Sequence, residues 1–252
     1  MNLVSLKDPE GDHPMNSRSS GELRMVITID GPAGTGKTSV AHLLADRLGL
    51  DSLDTGAMYR AVALRSIDQH VDPENSDGIA QAALDIELDF DWSSNPPELL
   101  VDGTPVGDRI REEDVDDRVS VVAGNPRVRE HMVRVQRAIA EKHPRLVTEG
   151  RDQGSVVFPH AEHRFYLDAT PEVRAERRVR QSRRSGQDVD FEEVLRSIKN
   201  RDLRDETRKD GPLKVPEGAT LLDTSELELS DVVERLVLLV HATTPGSSEV
   251  TG

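Results

Sequence analysis

Met25-Val26-Ile27-Thr28-Ile29-Asp30-Gly31-Pro32-Ala33-Gly34-Thr35-Gly36-Lys37-Thr38-Ser39-Val40 is the stretch on which the reading of the whole chain turns. Residues 25–29 form an apolar, β-branched run, long enough for one buried strand of a parallel sheet. Asp30-Gly31-Pro32 then signals a turn. From Lys37 onward, Val40, Leu43, Leu44 and Leu48 recur at helical spacing, so a helix is predicted over 37–48. Between strand and helix, residues 31–38 fit the pattern G-x-x-x-x-G-K-[ST]. Glycines there let successive backbone N–H groups turn inward around a phosphate, and the helix aims its positive end at the same oxygens. Lys37 reaches the β- and γ-phosphates, and the Thr38 hydroxyl can hold Mg²⁺. Gly31, Pro32, Ala33, Gly34, Thr35, Gly36, Lys37, Thr38 and Ser39 are therefore the expected triphosphate site. A glycine-rich turn can match such a pattern by chance. Its place between a strand and a helix favours phosphate binding.

Further along, Ile86, Leu88, Phe90 and Trp92 alternate with acids, which predicts a half-exposed strand. Residues 98–101 and 104–106 flank Asp102-Gly103, a two-residue hairpin signal, so about 73–107 reads as a small antiparallel insert. Helical spacing returns over 128–139. Residues 145–148, 164–167 and 221–222 read as further core strands. Residues 171–184 and 191–209 read as charged helices joined by Ser185-Gly186-Gln187. Strands alternating with helices predict an α/β fold with a parallel sheet. Residues 1–24 and 242–252 lack apolar periodicity and read as disordered tails, leaving 25–241 as the folded domain.

Composition narrows the function. With 32 basic and 47 acidic residues the formal net charge is −15, which disfavours nucleic acid and anionic lipid as partners. An anionic ligand must then be held by a local positive site. No stretch of about 18 apolar residues exists to span a membrane, and 1–22 has no apolar core of a secretory signal. Cysteine is absent, so thiol catalysis and zinc–thiolate sites are out, and a reducing cytoplasm is the expected setting. A monomer is expected. No N-K-x-D guanine motif occurs, and Leu167-Asp168 and Leu222-Asp223 resemble Walker-B acids only weakly.

If the loop holds a phosphoryl donor, an acceptor site is needed, and arginines supply candidates. Arg60 lies one turn past a helix start at Gly56-Ala57. Asn125-Pro126-Arg127-Val128-Arg129 opens a helix with two cations, where the dipole prefers acids. Glu149-Gly150-Arg151-Asp152 follows a predicted core strand, at the end where α/β sheets bind ligands. Arg174, Arg177, Arg178 and Arg184 precede the 185–187 joint. Arg201, Asp205 and Arg208 share one helical face. The last two groups read equally well as a solvated, ion-paired surface or as a mobile lid.

Taken in order, the 31–38 loop, 53–60, Ser120 with 126–130, 149–152 with Gly154 and Phe158-Pro159, and 201–208 make the chain similar to bacterial cytidylate kinases, over about residues 26–239. The resemblance implies a nucleoside monophosphate kinase fold with a parallel core, a monophosphate-binding insert (about 73–125) and a short helical lid (about 174–208). It implies ATP with Mg²⁺ as phosphoryl donor and CMP or dCMP as acceptor. By the same resemblance Lys37 is the donor-phosphate lysine, and Arg60, Arg151 and Arg208 grip the acceptor phosphate or the transferring group. Ser120, Arg129 and Asp152 read cytosine, Arg201 and Asp205 contact ribose and phosphate, Thr55 lies beside the acceptor, and Arg177 and Arg178 are lid arginines. Thr55 stands where serine is common in the family. Glu149 stands where aspartate is common and is one methylene longer.

A phosphate acceptor is already an ionised nucleophile, so no serine, cysteine or strong base is required. Holding two polyanions in line is the problem to be solved, by lysine, arginines and backbone amides. Two rivals stay open on residues alone: another P-loop kinase, for UMP or shikimate, and a catalytically idle nucleotide-binding regulator.

Overall fold

The computed structural model describes residues 24–184 and 186–243. The expected tails fall outside these residues, apart from Arg24 and 242–243, and so does Ser185 of the expected joint. Five strands, β1 (Met25–Asp30), β2 (Asp51–Asp54), β6 (Arg145–Gly150), β7 (His163–Asp168) and β8 (Thr220–Asp223), form one parallel sheet in the order β2-β6-β1-β7-β8. β1 is central because it is buried on both faces. Ile27 and Ile29 point to one side, with Val147, Phe165 and Leu167, and pack on α1 (Lys37–Leu48) and α8 (Leu229–Thr243). Val26 and Leu146 point to the other side, toward α2 (Thr55–Asp68) and α5 (Pro126–Lys142).

The predicted hairpin is present. β3 (Leu88–Asp91), β4 (Glu98–Val101) and β5 (Thr104–Pro105) make a separate antiparallel sheet. Asp102 and Gly103 both take positive φ, 51° and 74°, the conformation a two-residue hairpin turn needs. Two helices flank this sheet, α3 (Ser76–Leu84) and α4 (Glu113–Gly124). The stretch expected to be an antiparallel insert is thus helical up to Leu84. Trp92 stacks on His143 with ring centroids 3.7 Å apart, anchoring the small sheet to the core. α6 (Pro171–Arg184) and α7 (Phe191–Thr207) follow β7. α7 was expected to reach residue 209 but ends at Thr207, and Arg208 has extended backbone (ψ 143°).

The sheet positions the site through the carboxylates at its strand ends. Asp54 accepts from Ala57 N at 2.9 Å and so caps α2. Asp168 accepts from Ala169 N at 2.9 Å, and Asp223 from Ser225 N at 2.8 Å. Asp30, fully buried, accepts from two consecutive amides, Gln153 N and Gly154 N, both at 2.7 Å. Each acid satisfies N–H groups that would otherwise be orphaned where the chain leaves the sheet.

Candidate active site

The phosphate loop sits where β1 ends. Gly31 has φ 146°, and a Cβ there would lie 2.1 Å from the carbonyl oxygen of Leu167 on β7. Only glycine lets the loop cross that close to the neighbouring strand. α1 begins after Gly36 with no side chain capping its first amides and no acid in its first turn, which leaves those N–H groups free for an anion. Lys37 is buried and donates to the Pro32 carbonyl at 2.7 Å. Burial, reinforced by the positive charge of Arg151, pushes its ammonium down to about 7. Arg174, also buried, braces the loop by donating to Ala33 O at 3.1 Å while paired with Asp202 at 2.7 Å.

Thr38 and Glu149 meet beside the loop. The threonine hydroxyl donates to Glu149 Oε1 at 2.8 Å. The carboxyl of Asp54 is raised to about 7, by burial and by the neighbouring Glu149 charge. These are hard oxygen donors of the kind that suit Mg²⁺. Glu149, expected among the acceptor contacts, thus lies against Thr38 of the phosphate loop, and its backbone carbonyl accepts from Thr55 Oγ1 at 2.7 Å.

The other nine candidate acceptor residues, Thr55, Arg60, Ser120, Arg129, Arg151, Asp152, Arg201, Asp205 and Arg208, line one cavity of about 70 Å³ with Tyr59 at its wall. They come from α2, α4, α5, the turn after β6, α7 and the residue that ends it. Inside, the charges are paired with one another. Arg129 and Asp152 form a buried ion pair, 6% and 5% exposed. Arg151 Nε donates to Asp205 Oδ2 at 3.0 Å, and Arg208 stands 3.7 Å from the same carboxylate. The two cations that open α5 are thereby neutralised: Arg129 by Asp152, and Arg127 by Asp77 at 2.7 Å. A larger cavity of about 330 Å³ has Thr38 and Glu149 in its wall. Phe90, Leu99 and Ile110 wall it with Asp54, Asp108 and Glu98, against a single arginine, Arg111. Its size exceeds that of the arginine cavity, but its charge is wrong for a phosphate, so the smaller cavity is the acceptor candidate.

Two expected lid arginines go elsewhere in this state. Arg177 donates to the Thr224 hydroxyl at 3.2 Å and to its carbonyl, and Arg178 pairs with Asp116 on α4. Four residues that the sequence reading passed over contribute. Asp30 ties the end of β1 to the turn carrying Arg151 and Asp152; a carboxylate ending a buried strand was its only signal. Gln153 extends that link, accepting from Thr148 Oγ1 at 2.9 Å and donating to Gln136 at 3.1 Å. Gly211 (φ 56°) lies against the Arg129–Asp152 pair, and a Cβ there would come within 2.1 Å of Arg129 Nη2. An Asp-Gly-Pro turn just after Arg208 could have flagged it. Asp116 gave no signal, since it stands in a run of acids over 112–117.

A parallel sheet with a phosphate loop at the end of its central strand, and an arginine-lined cavity beside it, defines a P-loop phosphoryl-transfer enzyme. The chain belongs, more narrowly, to the cytidylate kinase family, whose sequence profile matches residues 27–242. It is 42% identical to the cytidylate kinase of Corynebacterium efficiens, over 89% of this chain and 98% of that one. It is 43% identical to that of Rhodococcus opacus, over 86% and 94% respectively, and 42% identical to that of Klebsiella pneumoniae, over 83% and 92%.

Proposed function

We propose that the protein transfers the γ-phosphoryl group of ATP to CMP, and to dCMP, to form the diphosphate. The observation that carries this reading is the single cavity in which arginines from separate elements converge beside the buried Arg129–Asp152 pair. The arginines suit the acceptor's phosphate, and the pair suits a base edge that offers both a donor and an acceptor. Residues 73–125 serve as the monophosphate-binding insert and 174–208 as the lid. Among the described residues no helix is long and apolar enough to cross a membrane, and we take the protein to act on small nucleotides in the cytoplasm.

Chemistry follows from charge. Backbone amides of 31–38 and Lys37 hold the donor phosphates. Lys37 gains its full positive charge as the phosphates replace Pro32 O as its partner, because an anion raises the pKa that burial had lowered. Thr38, with Glu149 and Asp54 behind it, would hold Mg²⁺, which would neutralise negative charge on the donor phosphates. Arg60, Arg151, Arg201 and Arg208 draw the acceptor phosphate in line, and that phosphate needs no general base. Most of the acceleration then comes from positioning and electrostatic stabilisation.

The test is a coupled assay of ADP formation across CMP, dCMP, UMP, AMP and shikimate. ATP consumption strictly dependent on added CMP or dCMP is expected. A preference for UMP or shikimate, or turnover indifferent to any acceptor, rejects the reading.

A further inference from the structure

Asp116, in the first turn of α4, is surrounded by guanidinium groups from three other elements. Its Oδ1 pairs with Arg60 of α2, its Oδ2 with Arg178 of α6, and Arg201 Nη1 of α7 stands 3.6 Å from Oδ1. Arg60 and Arg201 line the acceptor cavity, whereas Asp116 reaches them from outside it. Its side chain is 14% exposed, so the pairing is partly shielded from water. Burial alone would raise this carboxyl, but Arg60, Arg178 and Arg201 hold it below the usual carboxylate range. Without an anion here the arginines would repel one another: burial and the charge of Arg151 already push Arg201 down to about 10.

We infer that Asp116 is an internal counter-ion that stands in for the acceptor's phosphate, and that the acceptor must displace it to bind. The inference rests on the assignment of the arginine cavity to the acceptor. A phosphate monoester offers three terminal oxygens and up to two negative charges, and guanidinium groups take it in bidentate fashion. A carboxylate offers two oxygens and one charge. The phosphate therefore wins the exchange, and Asp116 is left beside a dianion, where like charge drives it toward solvent. Two consequences follow. In the empty chain the carboxylate ties α6 and α7 to α4, keeping the arginines ordered. It also taxes every phosphate-bearing ligand equally, so a phosphate that brings no base to the Arg129–Asp152 pair binds poorly.

Asp116→Asn keeps the shape and removes the charge. The KM for CMP is expected to fall about 3- to 30-fold, the range for relieving one partly exposed like-charge contact. The inhibition constant of inorganic phosphate, competing with CMP, should fall by a similar factor, while the KM for ATP stays within about twofold. Asp114→Asn serves as the control: it removes the same charge from the same helix, but Asp114 pairs with Arg109 at 2.6 Å, away from the cavity. It should leave both constants unchanged. An unchanged or raised CMP KM with unchanged phosphate inhibition overturns the inference, and so does an equal fall in the Asp114 variant. Asp116→Ala answers the same question should the asparagine variant fold poorly. Wild-type protein that shows no CMP-dependent turnover would instead reject the functional reading. In that case calorimetric binding of inorganic phosphate to wild type and variant still decides the role of Asp116: tighter binding to the variant supports it, equal or weaker binding overturns it.

Discussion

On the proposed function, the two halves of the site solve the same problem, holding phosphate, in opposite ways. The donor side is one continuous loop, 31–38, where the first amides of α1 carry no side-chain cap and the single lysine rests on the Pro32 carbonyl. The acceptor side is assembled from side chains on many elements, and its arginines are already paired with Asp116, Asp152 and Asp205. Its cavity of about 70 Å³ is a small space between closed ion pairs. Donor binding is therefore closer to a filling step, in which the ligand meets uncapped amides and displaces Lys37 only from a neutral carbonyl. Acceptor binding is an exchange step, in which the ligand breaks internal pairs and must repay their energy. Such a site is inherently choosy, because only a ligand that satisfies every displaced group recovers the cost.

The largest expected effect falls on the donor half. Lys37→Ala should lower kcat by at least about 10³-fold with the fold retained, because the only side-chain cation of the loop is lost. Near-normal turnover with a normal melting temperature would remove the loop from the mechanism. The next effect falls on the acceptor half alone. Gly211→Ala forces a methyl group against Arg129 and strains a positive-φ position, at roughly 1 kcal/mol or more of stability. The CMP KM is expected to rise about 10- to 100-fold while the ATP KM holds. Parallel rises in both would erase the distinction between the halves.

A smaller effect sharpens the contrast. With Lys37 lowered to about 7 in the empty chain, most of it is neutral at about pH 8, and ATP binding restores its charge. Calorimetry in buffers of different ionisation enthalpy should show uptake of nearly one proton at about pH 8, shrinking as pH falls below 7. The sign follows because the free form has the lower pKa and the bound form the higher. Zero uptake at about pH 8 would mean the lysine is already charged before the donor arrives.

The donor half was legible in the sequence because it is local. β1, the loop and α1 are contiguous, and the helix runs over Lys37–Leu48 as its apolar spacing predicted. The hairpin at Asp102-Gly103 was legible for the same reason. β2 was not: Asp51-Ser52-Leu53-Asp54 holds one apolar residue, and it is a strand only because it pairs with β6 at the sheet edge. α4 was hidden in an acidic run, its core-facing Val115, Val119 and Val122 diluted by charge. The acceptor residues could be nominated by type, yet not the pairings among them. Nothing in the spacing of Arg129 and Asp152, or of Arg60, Asp116 and Arg178, says that they meet. Those contacts are made by the sheet order, which brings the ends of β1 and β6 together, and by the packing of α4 against α2 and α7. The same tertiary placement divides three arginines of one helix among different tasks, with Arg174 on the phosphate loop, Arg177 on Thr224 and Arg178 on Asp116.

The most direct test of an exchange-built acceptor site is the ratio of kcat/KM for CMP to that for UMP, measured in the wild type and in Asp152→Asn. Cytosine presents an amine donor beside a ring acceptor, matching a carboxylate and a guanidinium. Uracil reverses both and mispairs two buried contacts at once. At roughly 1–3 kcal/mol each, the wild-type preference should be about 10²- to 10⁴-fold. The amide of Asp152→Asn can donate as well as accept, so the variant is expected to narrow the ratio by about tenfold or more, mainly by weakening CMP. A variant that keeps the full ratio would contradict the account, and would leave Asp152 as a group that merely orients its neighbours.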